Sequence, residues 1–281
     1  MTMHRAFLAL AVSAFIAAPF VAPASAAEGQ AAPPRVKWSF AGPFGMYDRA
    51  QLQRGFKVYR EVCQSCHSLS LLSFRNLAEP GGLDFTPAQA VAIAAEYKIQ
   101  DGPNDAGEMF ERPGRTADRF PRPFANDNAA RAANGGALPP DLSVIAKART
   151  YERGFPWFVL DIFTQYQEQG PDYLVALLKG YAEPPAGMTM PDGTSYNHYF
   201  PGNMIGMPQP LQDGQLTYDD GTEGTLDNYA KDVTAFLMWA AEPHLEARKR
   251  IGFQVMIFLI VFAGLLYFTK KKVWADVHGH A

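Results

Sequence analysis

The chain has 281 residues, with 25 Lys and Arg against 28 Asp and Glu, a formal charge of −3, and only two cysteines. Setting aside Arg5, the basic clusters 248–250 and 270–272, and Asp276 leaves 18 basic against 27 acidic residues, a formal charge of −9. That balance repels nucleic acid and excludes it as a partner; it serves solubility and attracts a cationic protein.

The N-terminus reads as an export leader. "MTMHRAFLALAVSAFIAAPFVAPASA" has His4 and Arg5, an apolar run from Ala6 to Val21, and the small-residue site Ala24-Ser25-Ala26. Cleavage there makes 1–26 a signal peptide. An uncleaved anchor is the rival, opposed by the short, proline-flanked run. Residues 27–247 then form an exported soluble region, long enough for one sizeable core.

The first helix is expected after Asp48, an N-cap with Gln51 three residues on. Leu52, Phe56, Tyr59 and Cys63 follow at spacings that place them on one face. At its end stands "EVCQSCHSL", residues 61–69, with both cysteines. A zinc site needs four ligands, usually from a second Cys or His pair, and no such pair exists here. A thioredoxin-like pair follows a strand in a βαβ unit, a pattern also missing. C-x-x-C-H remains, the c-type haem attachment sequence. Two thiols on one turn reach the two vinyl groups of a haem, and His67 is held beneath the iron as proximal ligand.

Further along, Thr86, Pro87 and Gln89 make a helix start. The stretch 150–170 holds Phe155, Trp157, Phe158, Val159, Leu160, Ile162, Phe163 and Tyr166. It reads either as a docking surface for another subunit or the membrane boundary, or as a helix packed on its own domain. Leu174, Leu177 and Leu178 mark a helix that stops at Gly180. Segments 99–140 and 181–224 hold much of the Gly and Pro and are expected to be ordered loops rather than strands.

Met238, Met256 and Met46 read as helix, membrane-span and core residues. "FPGNMIGMPQP", 200–210, differs, because Pro201, Pro208 and Pro210 stiffen the loop that presents Met204 and Met207. Either could be a sixth iron ligand, with Met207 the better placed between Gly206 and Pro208. Asp219, Asp220 and Glu223 either steer a basic partner or form a solvated loop. Thr225 caps a helix whose stripe of Leu226, Tyr229, Val233, Leu237 and Ala240 should cross the first helix near Gly55 and Tyr59. "IGFQVMIFLIVFAGLLYF", 251–268, spans about 27 Å, close to the ~30 Å bilayer core. A transmembrane helix over 248–270 and a cytoplasmic tail over 271–281 follow, with His278 and His280 of that tail assigned no role.

These segments together resemble the cytochrome c1 family, the haem-bearing subunit of cytochrome bc1 complexes. "RGFKVYREVCQSCHSLSLLSFRNL", "NAARAANGGALPPDLS", "NHYFPGNMIGMPQPL" and "AKDVTAFLMWAAEPHLEARKR" carry the likeness. It implies a mainly α c-type cytochrome domain with long loop insertions and one covalent haem c on Cys63 and Cys66. It also implies His67 and Met207 as axial ligands, Arg131 at a haem propionate, and Pro140 at the haem edge. The implied role is one-electron transfer from a Rieske iron–sulfur protein to a soluble basic cytochrome c, beside cytochrome b, in the inner membrane with the haem domain periplasmic. Such a chain is no enzyme alone. The rivals are an independent tethered cytochrome serving a terminal oxidase, and a haem enzyme or sensor with an open iron site. Two departures are expected to matter: the insertion at 150–170, and the missing paired cysteines of some bacterial members, which would leave packing alone to restrain the distal loop.

Overall fold

The structure is a computed structural model describing residues 31–151, 153–164 and 166–275. The expected leader and the last six residues lie outside the described residues.

The architecture is mainly α, as expected, and it centres on one helix crossing. Helix α1, Arg49–Glu61, starts where extended Asp48 accepts the Gln51 amide at 3.2 Å. It buries Leu52, Gly55, Phe56 and Tyr59. Helix α2, Pro87–Ala95, carries the Thr86–Gln89 capping box with Pro87 at its first turn. Two short helices follow, α3 (Asp127–Ala133) and α4 (Ile145–Ala148), then α5 (Trp157–Thr164) and α6 (Gln169–Lys179).

Helix α7, Leu226–Ala241, is capped by the Thr225 hydroxyl, which accepts the Asn228 amide at 3.3 Å. It crosses α1 at Gly55, where an added Cβ would lie 2.7 Å from Phe236 Cβ. Glycine permits that approach and lets Phe56, Tyr59 and Phe236 meet as rings. Trp239, fully buried, donates its indole N–H to the Gly81 carbonyl at 2.7 Å.

Helix α8, Leu245–Val273, has 29 residues and a mean hydropathy of 2.4 over its apolar window. It is the one helix among the described residues long and apolar enough to cross a membrane. Residues 36–49 clasp its base to the domain. Val36 N and Trp38 Nε1 donate to Asp172 on α6 at 3.1 and 2.8 Å. Lys249 Nζ then donates to the Phe40 carbonyl at 2.6 Å, and Glu246 takes the Tyr47 amide at 2.8 Å and the Arg49 guanidinium at 2.6 Å.

Two expectations need correction. The loop segments contain two small antiparallel hairpins, β1–β2 (Lys98–Asp101 with Phe110–Pro113) and β3–β4 (Ser195–Tyr196 with Met204–Ile205). The first has no buried residue in either strand and is held by Arg112, which pairs with Asp101 and Asp118, so its sequence, KIQD and FERP, lacks the apolar alternation of a core strand. The second is two residues per strand, too short for a period. Met46, expected in the core, is exposed beside Phe44, because residues 42–46 turn outward at the base of α8.

Candidate haem site

The site begins where α1 ends. Val62 closes the helix and a 3-10 turn, Cys63–Ser65, follows. The Cys66 and His67 amides both donate to the Cys63 carbonyl, at 3.2 and 2.9 Å, so the two thiols and the imidazole share one turn. The Tyr59 hydroxyl, reaching back from α1, donates to the His67 carbonyl at 3.1 Å.

Both cysteines are free thiols. Burial, and then the neighbouring Cys66, pushes the Cys63 thiol up to about 12. That direction is the opposite of the lowered thiol of a redox pair. Among the described residues no cluster of three or more His, Cys, Asp or Glu could hold a metal ion by itself.

His67 Nδ1 lies 2.8 Å from the Pro140 carbonyl oxygen. A carbonyl only accepts, so Nδ1 carries the proton and Nε2 keeps its lone pair. Burial, acting against that bond and the Asp141 charge, lowers the imidazole below its ordinary pKa and keeps it neutral. A neutral imidazole with one nitrogen committed to a carbonyl is the arrangement of a metal-ligating histidine.

Asp141 fixes the frame around it. Its carboxylate accepts from Ser68 Oγ at 2.7 Å, the Ser70 amide at 2.9 Å and the Ser143 amide at 2.8 Å. Burial opposes its ionisation, but hydrogen bonds from Ser143, Ser70 and Ser68 prevail and hold the carboxyl well below the usual range.

A cleft beside this turn is lined by Cys66, Arg122, Phe124, Leu138, Pro139 and Pro140. Arg131, on α3, is exposed and donates to the Gly136 carbonyl at 3.2 Å. Arg122, and not Arg131, lines the cleft, and sequence reasoning missed it; its signal was a lone arginine between Pro121 and Pro123, which names no role. A larger cleft of about 550 Å³ lies along the outer face of α1 between Arg54, Lys57 and Asp220, with no thiol, imidazole or thioether in its wall. It has no part in this chemistry.

The methionine loop approaches from the other side. A Cβ added at Gly206 would meet Ala137 Cβ at 3.1 Å, so the loop abuts the segment whose Pro140 holds His67. Met204 lies in β4 with an exposed side chain, whereas Met207 is half-buried and its carbonyl accepts from Tyr181 at 3.1 Å. Packing alone does not restrain this loop. Buried Asn197 donates to the Leu177 carbonyl at 2.8 Å and accepts the Tyr199 and Phe200 amides, while Asn203 Nδ2 donates to the Asn197 carbonyl at 3.0 Å. Hydrogen bonds stand where some relatives were expected to use a disulfide.

Comparison with known families matches residues 38–277 to the Cytochrome C1 family. The chain belongs to the cytochrome c1 family. It is 51% identical over 278 residues to "Cytochrome c1" of Blastochloris viridis, covering 99% of this chain and 98% of that protein. It is 68% identical over 256 residues to "Cytochrome b/c1" of Bradyrhizobium diazoefficiens, covering 91% of this chain but only 37% of that longer protein. Identity to the mitochondrial "Cytochrome c1 1, heme protein" of Arabidopsis thaliana is 46% over 269 residues, covering 95% of this chain and 80% of that protein. Membership in the cytochrome c1 family implies a haem and a role in electron transport. The donor set on the 63–67 turn fits one: two unpaired thiols, a neutral imidazole with a free Nε2, and a methionine loop across the same segment.

Proposed function

We propose that the chain is a membrane-anchored monohaem cytochrome passing single electrons from a Rieske iron–sulfur protein to a soluble basic cytochrome c. It works within a quinol–cytochrome c reductase complex, beside cytochrome b. His67 carries this reading: its Nδ1 is spent on the Pro140 carbonyl, directly after two free thiols on the same turn. The printed name of the Bradyrhizobium relative, which joins b and c1, supports cytochrome b as a partner.

Bound there, a single haem c supplies a one-electron couple. Cys63 and Cys66 tether it, and His67 presents Nε2 to the iron in an orientation set by Pro140. Met207 supplies the sixth ligand and keeps water and gases from the metal. Arg131 balances propionate charge, helped by Arg122 in the cleft wall. The protein transfers electrons and makes no bonds by itself. The acceptor meets an acidic domain, although Asp220 and Asp219 are already engaged by Arg54 and Lys57. Residues 1–26 serve as a cleaved leader, 27–247 as the periplasmic haem domain, 248–270 as the single inner-membrane span and 271–281 as a cytoplasmic tail.

Reduced-minus-oxidised spectra and carbon monoxide binding of Met207→Leu and Met204→Leu membranes test this. Only Met207→Leu should open the ferrous iron to carbon monoxide. A native protein that binds it readily, or a Met207→Leu variant indistinguishable from the native one, would reject the proposal, as would purification as a lone cytochrome without a multi-span b-type partner.

A further inference from the structure

Helix α5 distributes its residues in the reverse of the usual order. Its one buried side chain is Asp161, which pairs with Arg153 and accepts from Gln169 Nε2 at 2.9 Å. Its apolar side chains face outward: Phe155, just ahead of the helix, is 72% exposed and Phe163 79%, with Trp157, Phe158 and Leu160 also open. A helix on a water-facing surface buries its apolar side and shows its charges. An exposed aromatic patch of this kind marks a contact surface.

The location says what is contacted. Thr150, on the segment leading to α5, and Asp161 within it both bond Gln169, the first residue of α6, the Thr150 hydroxyl at 3.3 Å. Next to it, Gly170 is pressed against the Ala146 carbonyl, and Lys147 on the same short helix pairs with Glu242, which also pairs with Arg248 in the first turn of α8. Tyr166, following α5, shares Asp172 with Trp38 and Val36, in the segment that runs on to the Lys249 contacts. Helix α5 therefore lies in the same layer as the start of the spanning helix. In that layer exposed Phe44 packs edge-on against Phe253 of α8, ring centroids 5.5 Å apart, with exposed Met46 beside it. Exposed Lys147 and Arg248, both paired with Glu242, and exposed Arg149 and Arg250 lie on the segments that meet at this level.

We infer that α5 is a second membrane contact, lying in the plane of the leaflet with Phe155, Trp157, Phe158, Leu160 and Phe163 seated at the headgroup–acyl boundary. Aromatic side chains favour that boundary, and a short helix with exposed apolar residues around most of its circumference can settle into it. Basic residues at this level meet lipid phosphates. A protein neighbour is the competing occupant; the hydrogen bonds that tie α5, through Asp172 and residues 36–40, to the base of the outward-facing α8 favour lipid. The inference rests on the spanning helix and not on the haem.

The test uses the full chain in vesicles of phosphatidylcholine and phosphatidylglycerol. A nitroxide is placed at Phe158→Cys, Phe163→Cys or Phe155→Cys, each an exposed position, and at Glu223→Cys beside the remote end of α7 as the aqueous reference. Unmutated chain treated alike supplies the blank; label taken up at Cys63 or Cys66 counts against the haem reading and is subtracted here. Power-saturation electron paramagnetic resonance then compares access to oxygen and to a water-soluble nickel chelate. The α5 labels should show an oxygen-to-nickel ratio several-fold above that of Glu223→Cys, with unchanged circular dichroism. A ratio equal to the reference overturns the inference. Labels that are water-exposed in vesicles and shielded from both reagents only in the native complex overturn it too, and assign the face to a protein neighbour.

Discussion

Adding one carbon at Gly55 tests the helix crossing that positions the whole site. In Gly55→Ala the new Cβ stands 2.7 Å from Phe236 Cβ, 2.6 Å from the Asp232 carbonyl carbon and nearer still to its oxygen. None of these atoms is the free end of a flexible side chain, so α1 and α7 must part. Restoring even the Phe236 contact to van der Waals range separates them by about 0.7 Å, which forfeits about a quarter to a half of each dispersion contact across the seam. Overpacking of this kind costs about 3 kcal/mol at its upper range, and the better helix propensity of alanine returns about 1 kcal/mol. The net loss of about 2 kcal/mol lowers Tm by about 4–8 °C for a domain of this size. Thermal unfolding of the detergent-solubilised protein, followed by far-ultraviolet circular dichroism, reads it. Gly55→Val should add less than the first carbon did, since the backbone collision comes first. A tolerated Gly55→Ala, with the loss appearing only at Val, would show that the helices are not this close.

Three further outcomes follow from the same geometry. Asp172→Ala strands the Trp38 indole, the Val36 amide and the Tyr166 hydroxyl together. It should cost about 3 kcal/mol in a denaturant titration, against about 1 kcal/mol for Trp38→Phe, which removes one donor only; equal costs would refute the shared-acceptor reading. Tyr181→Phe frees the Met207 carbonyl at about 1 kcal/mol, so added imidazole should displace the methionine about fivefold better, and unchanged competition would dismiss the hydrogen bond as a restraint. The Arg112 guanidinium, more than the Arg115 amide, holds the Asp118 carboxyl at about 2. Its folded pKa lies below the ordinary carboxyl value, so its support of β1–β2 is full above that value and fades as pH falls toward about 2. Amide exchange across 98–113 should follow that course, and an Asp118→Asn variant with the same acid profile would contradict it.

The parts written in short-range chemistry were legible in the sequence. Asp48, Thr86 and Thr225 each cap the helix they announced, because a capping side chain bonds amides two or three residues away. The α7 stripe and Gly55 disclosed the crossing, since only a glycine amid large residues tolerates such an approach. That Cys63, Cys66 and His67 share one turn was visible, because a turn depends on local spacing. Pro140 was named, but not for its carbonyl, a group every residue owns and whose use depends on a fold 73 residues away. Tyr181 and Asn197 were invisible for the same reason, as their partners are backbone atoms. In α5 the apolar residues were plain, yet their outward turn was not, because it is set by Asp161 bonding inward.

The clasp formed by residues 36–49 has a consequence for how the domain is held on its helix. Glu246 and Lys249 belong to the first turn of the stalk, and their partners, Arg49, Tyr47, Phe40 and Gly45, belong to the head. Head and stalk are thus joined by side-chain bonds as well as by the chain itself, and cutting them, as in Glu246→Ala, would loosen the hold of the domain on its helix without touching the 63–67 turn.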